Sequence, residues 1–308
     1  MTEKRFSQPR KRGNSLGFGF FRSVLRLGGL RAAYAWLHPV CLYYLLFDRA
    51  ALKGALAYVR RAFPGAGCAG RLRHVYRLFL SQGRQLIDRY AGLSGAVDFE
   101  FHVQGKPPQQ EDRGLVLLTA HAGNWQLAMT TLGAMERTVH LVMGAEDNPA
   151  VEKALRMRQH TEHIKALTVT DEVGGMIQIM NALKRGEIVS FMGDRPYGFK
   201  AAPVTFLGEP ALFPCGPFHI AAAAGCPVQI LLSAREGFQR YRVDFKSVLR
   251  PETDGARRPD IGPWMQEFAD VLGAFIARHP YQCFLFTDVW AQCRAAQGDP
   301  SKRAKAGI

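Results

Sequence analysis

The stretch Leu117-Leu118-Thr119-Ala120-His121-Ala122-Gly123-Asn124-Trp125-Gln126 decides how this chain folds. Its first half reads as a buried strand that ends at His121. Gly123 then supplies a tight turn, and Asn124 is placed to cap the helix that follows. We therefore expect His121 at the carboxyl end of a strand, beside the N–H groups that a helix start leaves unsatisfied. Such groups suit an oxyanion or a carboxylate-like acceptor.

Strand-like and helical stretches alternate on both sides of this segment from about residue 98 onward. The predicted strands are Phe99–Val103, Leu115–Thr119, Val139–Met143, Ile188–Met192, Val204–Leu207, Val228–Leu232 and Tyr241–Phe245. The predicted helices are Trp125–Met135, Ala150–Gln159, Gly174–Lys184 and Trp264–Arg278. This alternation predicts an α/β fold with a mixed, largely parallel central sheet covered by helices. Ligands of such sheets bind beyond the carboxyl ends of the strands.

The composition is that of a folded globular protein with a large excess of positive charge. The 308 residues are 47% hydrophobic and 21% charged, and 40 Lys and Arg against 26 Asp and Glu give a net charge of +14. These values exclude a disordered or collagen-like body. The charge indicates an anionic partner, which is a nucleic acid, an acidic protein or the anionic face of a membrane. We expect no nucleic-acid partner, because the sequence contains no recognisable binding module for one.

The cysteines and histidines predict neither a disulfide framework nor a metal site. The cysteines are scattered without a C-x-x-C pair, which fits a reducing compartment. Five histidines outside the quoted segment lack ligand spacing with acidic partners, and we expect no metal and no other cofactor. The absence of a G-x-S-x-G motif from the sequence argues against an ordinary serine hydrolase. The relevant residues are Cys41, Cys68, Cys215, Cys226, Cys283, Cys293, His140, His160, His163, His219 and His279.

The chain before the α/β part predicts helices that dock on a membrane. Arg22, Arg26 and Arg31 recur at helix-like intervals in a region rich in Leu, Phe, Tyr and Ala. The apolar run 32–47 has only 16 residues, and a spanning helix needs about 20. A pair of helices lying in the membrane interface fits better, and a buried helical hairpin is the alternative. The predicted segments are a basic disordered tail at 1–14, a helical membrane-docking region at 15–97, an α/β domain at 98–290 and a basic tail at 291–308.

The segment around His121 resembles the signature of the lysophospholipid-type acyltransferases, and it is most similar to the branch that adds late acyl chains in lipid A biosynthesis. In that family a strand ends in His, Gly-Asn-Trp follows, and an acidic residue stands five positions after the His. Gln126 occupies the position of the acid here. The resemblance implies that His121 is the general base and that Gln126 orients its imidazole, since an amide oxygen can accept an imidazole N–H. The N–H groups near Gly123 and Asn124, at the start of the helix, would then stabilise the oxyanion of the tetrahedral intermediate.

Three further segments resemble the same family, in the same order. Asp147-Asn148-Pro149, followed by Arg156 and Arg158, is similar to a family segment in which arginines approach the phosphate of the acceptor. Gly193-Asp194-Arg195 and then Val204-Thr205-Phe206-Leu207-Gly208-Glu209-Pro210-Ala211 are similar to the Asp-Gln … Phe-Phe-Gly-x-Pro-Ala block. His279-Pro280-Tyr281-Gln282 resembles the closing His-Pro-Glu-Gln motif. The resemblance implies that Arg156 and Arg158 bind the substrate, and the place of Asp194 and Arg195 beyond a buried strand favours substrate contact for them too.

The resemblance as a whole implies an acyltransferase. It would move a fatty acyl chain from an acyl thioester, carried by acyl carrier protein or CoA, to a hydroxyl of a lipid or glycolipid. Its place would be the anionic cytoplasmic face of the bacterial inner membrane. Three alternatives stay open: a weakly active or non-catalytic lipid-binding relative with a degenerate site at Gln126, a structural ion pair of Asp194 with Arg195, and a solvated helix face for Arg156 and Arg158.

Overall fold

Three helices precede the central sheet. The structure, a computed structural model, describes residues 15–105, 113–135, 137–143, 163–168, 172–196, 200–250, 260–291 and 293. The first helices are α1 (Ser15–Phe47), α2 (Arg49–Ala62) and α3 (Cys68–Leu93). α1 is broken at Gly29, whose φ of +66° is left-handed. α2 begins where the Asp48 side chain accepts the N–H of Ala51 at 2.8 Å, which caps the helix.

The described chain then forms a seven-stranded sheet and a separate two-stranded hairpin. The strands are β1 (Glu100–Gln104), β2 (Leu115–Thr119), β3 (Val139–Met143), β4 (Ile164–Thr168), β5 (Ile188–Met192), β6 (Ala201–Phe206), β7 (Glu209–Pro214), β8 (Val228–Gly237) and β9 (Arg240–Leu249). The large sheet has the order β1-β9-β8-β2-β5-β3-β4, and its neighbouring strands are parallel except for β8 and β9. The remaining helices are α4 (Trp125–Ala128), a 3-10 helix at Met129–Met135, α5 (Glu172–Lys184), α6 (Gly216–Ala224) and α7 (Gly262–Arg278).

The predicted α/β class with a mixed, largely parallel sheet is confirmed. β2, β3 and β5 have the predicted bounds, whereas β8 and β9 extend beyond theirs. Two strands were not predicted: β4 contains Lys165, which interrupts its apolar run, and β7 begins with Glu209 and ends with Pro214. The helix predicted at 125–135 is one α-helical turn followed by a 3-10 helix. The helix predicted at 150–159 and the tail at 1–14 lie outside the described residues.

The sheet separates two apolar layers, because side chains alternate along each strand. Val116 and Leu118 of β2 belong to the larger layer, and Leu115 and Leu117 belong to the smaller one. The larger layer also contains buried side chains of all three N-terminal helices. The members from α1 are Leu25, Leu30, Ala33, Leu37 and Cys41. The N-terminal helices therefore share the main core of the sheet.

α1 also carries apolar side chains that the fold leaves exposed. At about 100° per residue, the exposed apolar positions in its second half fall on one side of the helix axis. This exposed apolar face consists of Trp36, Leu42, Tyr43, Leu46 and Phe47, with exposed fractions of 48 to 69%. Every helix in the described residues falls short of the length or the apolar character that a membrane crossing requires. Contact of this face with a membrane surface stays a prediction.

The segment Val204–Ala211, identified from its resemblance, forms the β6–β7 hairpin. Leu207 and Gly208 make its two-residue turn, with φ values of +51° and +80°, as the turn types that fit two-residue hairpins require. The carbonyl of Phe206 accepts the indole N–H of Trp290 at 3.0 Å. Glu209 forms an ion pair with Arg61 of α2 at 2.7 Å. The hairpin therefore connects α2 to the C-terminal part of the chain.

Candidate active site

His121 and Asp194 follow two neighbouring parallel strands. The register pairs Thr119 at the end of β2 with Met192 at the end of β5, and each of the two residues comes two positions after its strand. The N–H of Gly193 donates to the carbonyl of Thr119 at 2.8 Å, which continues the ladder by one step. Because parallel strands have their carboxyl ends at the same edge, the two side chains meet beyond the sheet, where ligands of such folds bind.

The two side chains form a hydrogen-bonded pair. His121 Nδ1 lies 2.8 Å from Asp194 Oδ1, and the backbone N–H of His121 donates to Asp194 Oδ2 at 2.9 Å. The Asp194 side chain is fully buried, whereas the imidazole is 21% exposed. Burial alone would raise the pKa of Asp194, but the positive charge and hydrogen bonds of His121, with help from Arg195, lower it below its usual value. Asp194 is therefore a carboxylate near neutral pH.

This carboxylate selects the tautomer of the imidazole. Arg195 Nε also lies near Nδ1, at 3.2 Å, and one nitrogen cannot donate to Asp194 and accept from Arg195 at once. We assign the proton to Nδ1, because the contact with Asp194 is shorter and joins a donor to an anion. The Nε2 nitrogen then carries the lone pair, as a general base requires.

Asp194 and Arg195 were expected to contact substrate, and the structure places both at the imidazole. Asp194 has no exposed surface and faces His121. Arg195 is 9% exposed and lies beside the same pair. Arg156 and Arg158, the other two expected substrate-binding residues, lie outside the described residues, as does the segment at 147–149.

Gln126 has a different partner from the one expected. Its Oε1 accepts a hydrogen bond from the guanidinium of Arg89 on α3, while the carboxylate of Asp194 holds Nδ1 of His121. Sequence spacing could not show this, because Asp194 is 73 residues from His121 and the contact depends on the pairing of β2 with β5. The chain has no carboxylate at position 126, but Asp194, which follows the neighbouring strand β5, places one against the imidazole.

The turn after His121 is closed by glycine. Gly123 has a φ of +58°, and a Cβ atom added to it would lie 1.5 Å from the carbonyl oxygen of Ser233. Its N–H donates to the carbonyl of Gln282 at 2.7 Å, so this donor is engaged inside the protein and not held ready for an oxyanion. Asn124 stands at the N-cap position of α4, but its side chain makes no capping bond and donates to the carbonyl of Gln85 at 2.9 Å.

Residues 282–284 hold this turn, and we call them the C-terminal clamp. Ala122 forms an antiparallel bridge with Cys283, and the N–H of Phe284 donates to the carbonyl of His121 at 2.7 Å. The side chain of Gln282 bonds the backbone N–H and carbonyl of Arg235 at 2.8 and 2.9 Å. The closing motif found by resemblance therefore lies directly against the turn that carries His121.

Sequence reasoning missed the contribution of α3 to this site. Gln85, Asp88 and Arg89 lie three and four residues apart, so they share one helix face. Gln85 donates to the side chain of Gln282 at 2.9 Å, and Arg89 contacts Gln126. One signal was available in the sequence: Asp88 is the single acidic residue between Arg49 and Leu93.

Asp88 is the centre of a buried polar cluster that joins α1 and α3 to the sheet. It accepts hydrogen bonds from the Tyr241 hydroxyl at 2.6 Å, from Arg235 Nε at 3.0 Å and from the Tyr34 hydroxyl. Burial raises the pKa of Asp88 despite these hydrogen bonds, which favour the carboxylate. Tyr241 is also 3.4 Å from the Asn124 side chain, so the cluster reaches the turn that carries His121.

A histidine backed by a buried carboxylate, at the strand ends of an α/β sheet, defines a site for general acid–base chemistry. In the described ranges, no group of three or more His, Cys, Asp or Glu side chains is arranged so that it could bind a metal ion.

The family model for the bacterial lipid A biosynthesis acyltransferases matches residues 101–292, and the chain belongs to this family. The resemblance stated from the sequence is thereby confirmed, and with it an enzyme of the acyltransferase class connected with lipid A biosynthesis. A comparison with curated proteins found no match. The matched residues include the turn that carries His121 and the C-terminal clamp, whereas α1, α2 and α3 precede them.

Proposed function

We propose that this protein transfers a fatty acyl chain from an acyl thioester to a hydroxyl of a lipid or glycolipid. The pairing of His121 with Asp194 carries the proposal. Nε2 of His121 takes the proton of the acceptor hydroxyl while the oxygen attacks the thioester carbonyl. The tetrahedral intermediate then breaks its carbon–sulfur bond, and the imidazolium returns the proton to the departing thiolate. A positioned general base contributes about 10²–10⁴-fold to such a step.

Asp194 has two parts in this mechanism. It keeps the proton on Nδ1, so that Nε2 faces the hydroxyl as an acceptor, and it stabilises the imidazolium that forms during attack. A hydrogen bond to an ionised partner is about twice as strong as a neutral one. The amide of Gln126 supplies no such charge and lies against Arg89. Asp194 therefore replaces the acid that the family motif places five residues after the histidine.

The phosphate groups of the substrates need cationic partners. Arg195 lies beside the imidazole, and we propose that it holds a phosphate of the acceptor together with Arg156 or Arg158. Guanidinium groups suit this task because their planar donors match phosphate oxygens in pairs. No step of the proposed reaction requires a cofactor.

Charge and exposed apolar surface support a place at a membrane. From Ser15 to Leu93 the chain has twelve Lys and Arg residues but only two Asp and no Glu. An acidic carrier protein, or CoA with its phosphates, fits this basic region as the acyl donor. The exposed apolar face of α1, flanked by exposed Arg22, Arg26 and Arg31, fits an anionic bilayer. We therefore propose the cytoplasmic face of the bacterial inner membrane as its location.

The experiment combines the purified full chain with a labelled acyl donor and a bacterial lipid extract. We expect labelled lipid from acyl carrier protein or CoA thioester, and loss of the label with His121→Ala at unchanged thermal unfolding. Transfer by the variant within a few-fold of the parent would refute the role of His121. Lipid binding without any transfer by the parent would support the alternative, a non-catalytic lipid-binding relative.

A further inference from the structure

We propose that the guanidinium of Arg89 is an anion-binding group at the mouth of the site, and that it receives a phosphate of one of the two substrates. Its part in turnover rests on the proposed acyl transfer, whereas the binding of phosphate does not. The shared chemistry is a phosphate monoester or diester, which both a phosphopantetheine thioester and a lipid headgroup can supply.

The first observation is that none of the residues that the structure describes supplies a negative charge to Arg89. A guanidinium has five N–H donors, and the bond that the structure gives Arg89 runs to the neutral amide oxygen of Gln126. Within the described ranges, no carboxylate forms an ion pair with Arg89. Two other shielded arginines do have one: Arg235 pairs with Asp88 at 3.0 Å and Arg61 with Glu209 at 2.7 Å.

This unmatched charge is also costly. Arg89 is half-buried on α3, and burial lowers the pKa of its guanidinium to about 10. Taking a charged group out of water without an opposite charge is unfavourable. A bound anion offsets that cost, because it supplies the missing charge and accepts the remaining N–H groups. Among the described residues, Arg89 is therefore a shielded cation without an anionic partner, which an anionic ligand would supply.

The second observation is where this cation lies. Along the segment 122–129 the side chains are buried, except for Trp125 and Gln126, which are half-buried like His121. Arg89 contacts Gln126, so it borders the partly exposed part of this segment, which begins four residues after His121. A phosphate held there would belong to the molecule whose hydroxyl or thioester reaches His121.

Gln126 acquires a role in this arrangement. Its amide oxygen orients the guanidinium by a hydrogen bond but leaves its charge intact, since the amide is neutral. A Glu at the same position would pair with Arg89 and compete with an incoming phosphate. The departure of this chain from the family motif thus keeps Arg89 available, while Asp194 serves the imidazole.

The test measures binding of inorganic phosphate and pyrophosphate to the full chain by calorimetry, without turnover. The variants are Arg89→Gln, which removes the cation, and Gln126→Glu, which keeps Arg89 but gives it an internal anion. Arg73→Gln is the matched control, because Arg73 is exposed on the same helix and its loss changes the net charge equally. Arg89→Gln and Gln126→Glu should each weaken phosphate binding about tenfold, and Arg73→Gln by less than about twofold.

Equal affinities in the three variants and the parent, or no phosphate binding by the parent, would overturn the proposal. Steady-state assays then identify the source of the phosphate. Arg89→Gln should raise KM for the acceptor if the phosphate belongs to the lipid, and KM for the donor if it belongs to phosphopantetheine. Unchanged KM for both substrates would also overturn it. Phosphate binding that depends on Arg89 in a protein without acyl transfer would uphold the anion site and reject the proposed function.

Discussion

Gly123 fixes the position of His121 at the scale of a single residue. Its φ is left-handed, and its Cα lies so close to the backbone of Ser233 that a Cβ would reach 1.5 Å from the carbonyl oxygen. Both features disfavour a side chain, and the second is the stronger, since a backbone carbonyl in β8 cannot move aside like the end of a flexible side chain. The turn therefore depends on glycine for space as well as for conformation.

We predict that Gly123→Ala abolishes acyl transfer and destabilises the fold, because the turn must shift away from β8. Gly95→Ala is the control: Gly95 also has a positive φ, of +69°, but nothing lies within 4 Å of its added Cβ. The control should cost only the left-handed strain of about 1–2 kcal/mol and keep its activity. Urea unfolding and the acyl-transfer assay measure both effects. Equal losses of stability and activity in the two variants would show that the left-handed conformation alone explains the need for glycine at position 123.

The residues of the site could be predicted from the sequence more readily than their partners. His121, Asp194 and Arg195 were all singled out, because they follow apolar strands. The partner of His121 was sought nearby in the sequence, at Gln126, and the structure supplies it from β5. Which strand lies beside β2 depends on packing of the whole sheet, and a pattern of apolar residues does not contain that information.

At the scale of secondary-structure elements, α3 and the C-terminal clamp both contact the turn that carries His121. Gln85 links them, since its side chain donates to Gln282 and its carbonyl accepts from Asn124. The apolar strands β2, β3 and β5 were predicted with their observed bounds, whereas the polar face of α3 was not connected with the site. Hydrophobic periodicity locates an element but gives no account of which buried polar groups it will meet.

Gln282 should act as a positioning residue for the turn. Gln282→Ala leaves the backbone N–H and carbonyl of Arg235 without their side-chain partner, and unsatisfied buried groups cost about 1–3 kcal/mol each. We expect lower stability to urea and a fall in kcat with little change in KM, because the imidazole is displaced while substrate contacts stay. Gln178→Ala, at an exposed position of α5, is the control and should change neither. A variant that loses stability but keeps the parent kcat would limit Gln282 to a structural role.

At the scale of the whole molecule, positive charge and exposed apolar surface are concentrated in the N-terminal helices. α1 buries one side in the main core and leaves Trp36, Tyr43 and Phe47 exposed on the other. The sequence indicated this region as either an interfacial helix pair or a buried hairpin. The structure shows that α1 has one buried apolar side and one exposed apolar side. The local composition is apolar on both sides, so it could not show which side would be buried.

We predict that the exposed face binds anionic vesicles. Replacing Trp36, Tyr43 and Phe47 by Ser should weaken sedimentation with such vesicles about tenfold or more, since the apolar contact is lost. Raising the salt from about 0.05 to 0.5 M should weaken binding of the parent by screening its arginines. Replacing Met176 and Ile177 by Ser is the control, because these apolar side chains are also exposed but lie on α5. Unchanged sedimentation of the variant that replaces Trp36, Tyr43 and Phe47 would show that this face of α1 does not bind the membrane.

The central claim is that Asp194, and not Gln126, is the partner of the His121 imidazole in the proposed reaction. The most direct measurement compares kcat/KM of Asp194→Asn and Gln126→Leu with that of the parent, using one acyl donor and one acceptor. Asp194→Asn should lose up to about 10⁴-fold, because an amide favours the wrong tautomer and carries no charge, with a folded state verified by circular dichroism. Gln126→Leu should keep the parent kcat within about tenfold, since its amide contacts Arg89 rather than the tautomer-setting nitrogen. The reverse order, with Asp194→Asn active and Gln126→Leu inactive, would contradict the account.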